Sequence, residues 1–122
     1  MKILNVKAIA IILLFVMQSI YAQTPSWQWA FGVGSTGAEM ATANATDAAG
    51  NLYTVGWYTS ANITFGSITL TNPGLGTSDI FITKHSATGT ALWAKTFGGS
   101  DGEIASSISL DSNGDIYVTG WF

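Results

Sequence analysis

The stretch EIASSISLDSNGDIYVTGWF at residues 103–122 is a second copy of EMATANATDAAGNLYTVGWY at residues 39–58, displaced by 64 positions without a gap. Identities fall on Glu39/Glu103, Asp47/Asp111, Gly50/Gly114, Tyr53/Tyr117, Gly56/Gly120 and Trp57/Trp121. These are residue types that make turns and fill cores. Upstream, Trp27 and Phe31-Gly32 match Trp93 and Phe97-Gly98 at an offset of 66, the difference lying in the loop after Phe-Gly. The chain is therefore built from a repeated unit.

Within the unit the apolar period is two, the period of a strand. Ile104, Ser106, Ile108 and Leu110 alternate with Ala105, Ser107, Ser109 and Asp111. Asn113-Gly114 predicts a type I′ hairpin turn. The strand that follows carries Tyr117, Thr119 and Trp121 on one face and Ile116, Val118 and Gly120 on the other, so both faces expect cover. Asp79–Lys84 and Ala91–Phe97 read as a third and fourth strand joined at Ala87-Thr88-Gly89. Residues 59–78 hold two short alternating runs around Gly66-Ser67, an inserted hairpin, closed by a turn at Asn72-Pro73-Gly74.

Four antiparallel strands per repeat predict an all-β fold, a partial β-propeller of four-stranded blades. Residues 23–58 supply the end of one blade and the start of the next, 59–78 the insert, and 79–122 further blade strands, truncated at the C-terminus. Blade packing falls to Trp27, Phe31, Tyr53, Trp57, Trp93, Phe97, Tyr117 and Trp121. The second copy stops in mid-strand at Trp121-Phe122, which predicts an N-terminal fragment of a longer protein or a truncated reading frame. The alternative is a short chain that oligomerises to complete a propeller.

Asp79-Ile-Phe-Ile-Thr-Lys84, Thr88-Gly-x-x-x-Trp93, Phe97-Gly-Gly-Ser100 and the Asp111–Gly120 run together resemble the SBBP-type bacterial β-propeller repeat. The resemblance implies a secreted or cell-surface protein of the kind frequent in Bacteroidetes-type bacteria. That family often ends in a sorting domain, which is not found in these residues. Thr88-Gly89-x-x-x-Trp93 is also similar to the tryptophan-docking motif of quinoprotein propellers, but His85 stands where that motif has Asp. This match implies that Trp93 lies over a neighbouring turn rather than that a quinone is bound.

Residues 1–22 read as a helical signal peptide: Lys2 and Lys7, an apolar run from Ala8 to Val16, then a cut between Ala22 and Gln23. The run is shorter than a membrane span, which takes about 20 apolar residues. Its removal leaves Lys84 and Lys95 against seven carboxylates, so the mature chain is acidic. Only 9% of residues are charged, 14 are Gly and 5 are Trp, the reverse of a disordered chain. Nucleic-acid binding expects a basic patch, and the sequence contains no Arg. With no Cys and one His, disulfide scaffolds and zinc sites are excluded.

Asp111, Asn113 and Asp115 place oxygens at alternate positions, as a calcium loop begins. The Gly comes early and no bidentate Glu follows, so a hairpin turn explains them better. His85 reads as a solvated residue beside a turn, without the partners of a triad. Glu39 and Glu103 are repeat equivalents, and Asp101 shares a loop with Glu103, which is weak support for a carboxylate pair. Ser35-Thr36-Gly37 and Ser60-Ala61-Asn62 would form a binding rim, with Trp29 and Tyr58 as the less regular aromatics.

The expectation is an exported, non-enzymatic propeller segment serving as scaffold or binding module, without cofactor, with carbohydrate or a cell-surface protein as partner. The alternatives are a propeller enzyme, glycan-active or quinoprotein-like, completed by further blades, and an adhesin stalk.

Overall fold

The computed structural model describes residues 25–74 and 76–122. The leader expected from the sequence, with its cut between Ala22 and Gln23, falls outside the described residues. Among the described residues every regular element is a strand: β1 (Glu39–Thr46), β2 (Leu52–Tyr58), β3 (Asn62–Phe65), β4 (Ile68–Thr71), β5 (Asp79–His85), β6 (Ala91–Phe97), β7 (Ile104–Leu110) and β8 (Ile116–Trp121). All pairings are antiparallel. β1-β2-β5-β6 form a four-stranded sheet, while β3–β4 and β7–β8 are separate hairpins. Residues 25–38 form no strand, so the strand expected around Trp27–Phe31 is not made. That segment instead lays the Trp29 and Phe31 rings on His85 of β5.

The repeat is visible in backbone detail. β1 carries a bulge between Ala41 and Ala43, and β7 carries the same bulge between Ala105 and Ser107. An extra residue reverses which side chains face inward, and it corrects the simple alternation read from sequence. Ala105 and Ile108, not Ile104 and Ile108, are the buried pair; Ile104 is 37% exposed. Opposite each bulge stands a glycine. A Cβ on Gly56 would overlap the Met40 carbonyl, and one on Gly120 would overlap the Ile104 carbonyl, the equivalent group.

Three hairpin turns also share one construction. Gly50, Gly89 and Gly114 donate to the carbonyls of Asp47, Ser86 and Asp111, three residues back, at 2.9, 2.9 and 3.1 Å. Each of these glycines has φ between 79° and 87°, and no non-glycine residue described has positive φ. Asn113 therefore does not take the left-handed angle of the expected type I′ turn. The loop is a type I turn closed by a left-handed glycine, the other common hairpin solution. Gly66-Ser67 makes the tighter two-residue connection of β3 to β4, with Gly66 at φ 61°.

The four-stranded sheet is covered on both faces. On one, Tyr53, Val55, Ile80 and Ile82 meet Ala105 and Ile108 of β7, flanked by Ile116 and Val118 of β8. On the other, Tyr58 and Phe81 meet Ile63, Phe65 and Leu70 of the β3–β4 hairpin, with Val33 alongside. Val55, Ile80 and Ile63 are essentially inaccessible, which contributes about 1.5–3 kcal/mol for each side chain.

The Gly56–Met40 contact gives a direct test. Gly56→Ala should lower stability by about 1–3 kcal/mol in denaturant melts, the cost of overpacking a fixed backbone. Gly32→Ala, where a Cβ meets nothing within 4 Å, should leave the midpoint unchanged.

Candidate functional site

The expected calcium-loop residues are occupied with closing a turn. Asp111 Oδ1 accepts the backbone N–H groups of Asn113 and Asp115, both at 2.9 Å, and Oδ2 accepts the Tyr117 hydroxyl at 3.4 Å. Asp47 repeats this with Ala49 and Asn51 N–H groups at 3.0 and 2.9 Å and the Tyr53 hydroxyl at 3.4 Å. Asp47 also takes the Asn51 amide at 2.8 Å and the Lys84 ammonium at 3.3 Å. Lys84 in turn lies 4.8 Å over the Tyr53 ring. The Asn51 amide, followed by the backbone N–H and Lys84, holds the Asp47 carboxyl down at about 2. A carboxyl depressed in the fold contributes stability above its ordinary value of 3.8 and loses it as pH falls towards about 2. The melting temperature should therefore drop across that window, and Asp47→Asn should flatten this part of the pH profile.

His85 is not a solvated turn residue. It closes β5 at 2% exposure, with its Nδ1 3.4 Å from the Thr83 hydroxyl. Phe31 stacks on its ring at 4.3 Å, with Trp29 tilted against it at 5.9 Å. Burial pushes the imidazole below its ordinary 6.5. The residue that docks on the β5–β6 turn is Trp29, whose indole N–H donates to the Ala87 carbonyl at 2.9 Å. A Cβ on Gly89 would come within 2.8 Å of that ring. Trp27, expected in a blade core, is 93% exposed. Trp93 packs edge-on against Tyr53 at 6.0 Å rather than over a turn.

The carboxylates separate in the same way. Glu39 accepts the Ser60 hydroxyl at 2.6 Å, which leaves Ser60 only 3% exposed and removes it from the expected rim. The residues flanking the two rim loops do meet: the Thr59 N–H donates to the Ala38 carbonyl at 2.9 Å. Glu103, its repeat equivalent, instead faces Asp79 at the start of β5. Asp79 was not singled out in the sequence, where it reads as the polar end of a strand. It is wholly buried, and neither of its carboxylate oxygens has a hydrogen-bond partner. Burial, then the Glu103 charge, raises its pKa above 3.8.

A further concavity is apolar. A groove of about 760 Å³ runs between β5–β6 and β8, lined by Ile80, Ile82, Trp93, Lys95, Phe97, Ile116, Val118 and Phe122. Beyond it, repeat-equivalent aromatics differ sharply. Tyr53 is 5% exposed beneath β7, whereas Tyr117 is 56% exposed and Trp121 65%. Phe97 is also half-exposed, on the groove wall. Trp57 is half-buried on β2, opposite Met40 of β1.

Residues 92–121, from β6 through β8, match the SBBP family, described as a beta-propeller repeat. A comparison with curated proteins gave no match.

Proposed function

We propose that this chain is an exported, non-enzymatic β-propeller segment, whose four-stranded sheet is one blade and whose β7–β8 hairpin opens the next. It serves as scaffold or binding module at the cell surface or outside the cell. One observation carries the reading. The β7–β8 hairpin reproduces β1–β2 down to bulge, glycine and aspartate turn, and its Ile116/Val118 face lies against the Tyr53/Val55 face of the first sheet. Face-to-face stacking of equivalent units is how radially repeated sheets bury their strands.

The groove follows from the same arithmetic. In the first sheet β2 is joined on its far side by β5 and β6, whereas among the described residues β8 has no partner there. The groove therefore has the position of a third and fourth strand of the second blade. Export is supported by the leader-like sequence of residues 1–22 and by the acidic remainder. Carbohydrate or a cell-surface protein is the partner class for the exposed loops.

A tandem chain tests the blade reading. Residues 59–97, appended directly after Phe122, continue the repeat in register. The extended protein should melt higher than the original and bind less of an apolar dye such as ANS. Unchanged dye binding, with the added segment cut first in limited proteolysis, would count against stacked blades. Export is tested separately by expression in a bacterial host and mass spectrometry of the product. A mature chain beginning at Gln23 outside the cytoplasm supports it; intact Met1 retained in the cytoplasm refutes it.

A further inference from the structure

The carboxyl pair at the start of β5 is not used by the blade reading. Asp79 has zero exposure and two orphaned oxygens, with Gly98 packed directly against its carboxylate. A buried carboxylate with no partner is strongly disfavoured, and a second carboxylate beside it adds repulsion. Glu103 is held in place there. Its N–H donates to the Ser78 carbonyl at 2.6 Å, and its Oε2 accepts from the Gly99 N–H at 3.4 Å. Fixing two acids side by side makes physical sense only if something positive, or a proton, completes them.

The surroundings favour a cation with oxygen ligands. The loops that meet here approach through glycines: a Cβ on Gly98 would overlap the Asp79 carboxylate, and one on Gly74 would overlap the Gly99 carbonyl. The Ser78 hydroxyl faces Gly102 across the same junction, 3.0 Å from where its Cβ would stand. Among the described residues no trio of His, Cys, Asp or Glu side chains gathers to hold a metal. Two carboxylates supplemented by carbonyl, hydroxyl and water oxygens suit calcium, which accepts six to eight oxygens in loose geometry, and not zinc. The equivalent Glu39 already has the Ser60 hydroxyl as its partner, so the site is specific to the second copy.

We propose that the junction of the Ser78–Asp79 step with the Gly98–Glu103 loop is a calcium site, with Asp79 and Glu103 as its carboxylate ligands. The site joins the first sheet to the β7–β8 hairpin, so calcium there fastens one repeat to the next.

Calorimetric titration of the full chain with Ca2+, paired with thermal melts in EDTA and in calcium, tests this. The expected result is a Kd of about 10⁻⁴–10⁻³ M, the range of extracellular modules, and a melting temperature that rises with calcium. Asp79→Asn, which keeps the shape of the side chain, should abolish the rise, and Glu103→Gln should weaken binding by at least about tenfold, as loss of one charged ligand does. The proposal is overturned by absence of binding at about 10 mM Ca2+, by unchanged binding in Asp79→Asn, or by an equal response to Mg2+. A chain that ignores calcium but melts higher on mild acidification in the wild type only would show instead that the two acids share a proton, and would also overturn it.

Discussion

The Met40 carbonyl lies where a side chain on Gly56 would stand, and most of the architecture depends on that contact. It exists because β1 carries one residue more than β2 can match, between Ala41 and Ala43. The extra residue bends the strand and swaps the faces, sending Ala43 and Ala45 into the cluster around Tyr53 and Val55. Small side chains there let β7 come close. β7 in turn bends at the same place, over Gly120, and offers Ala105 and Ile108 to that cluster. A larger residue at Gly56 would straighten the strand or push β2 away, and either change would separate the sheet from the hairpin.

Much of this was legible in the sequence because repetition converts composition into geometry. The 64-residue offset located β1–β2 and β7–β8 together, and period-two patterning located β5 and β6. The bulge was not legible: alternation across Ile104–Leu110 reads equally well without it, and only the paired glycine hints at a crowded backbone. Nor was the turn type, since Asn-Gly serves two hairpin geometries and the choice depends on the aspartate capping the loop. Trp27 and Trp29 differ by two positions and face the same way on a strand. With no strand formed there, the ring that reaches the Ala87 carbonyl is decided by the course of the loop.

Polar residues show the sharpest contrast between sequence and structure. Asp111 begins like a calcium loop, yet it and its repeat equivalent Asp47 are engaged with their own backbone turns. Asp79 looks like the ordinary polar start of a strand and is buried without partners. Sequence spacing reports which oxygens are near one another along the chain. It does not report that the loop at Gly98 returns to cover a strand end nineteen residues earlier, which is what removes Asp79 from water.

The two faces of the repeated strand pair are unlike. The side that carries tyrosine and tryptophan on β2 receives the isoleucine and valine side of β8, and β8 turns its own tyrosine and tryptophan outward. Such a surface is not its own complement, so contact made through it is head-to-tail and excludes two-fold symmetry. Each added unit presents the same face in a rotated frame. Whether growth ends is then a matter of the angle between successive sheets: a rotation that divides a full turn closes into a ring, and any other runs on as a helix.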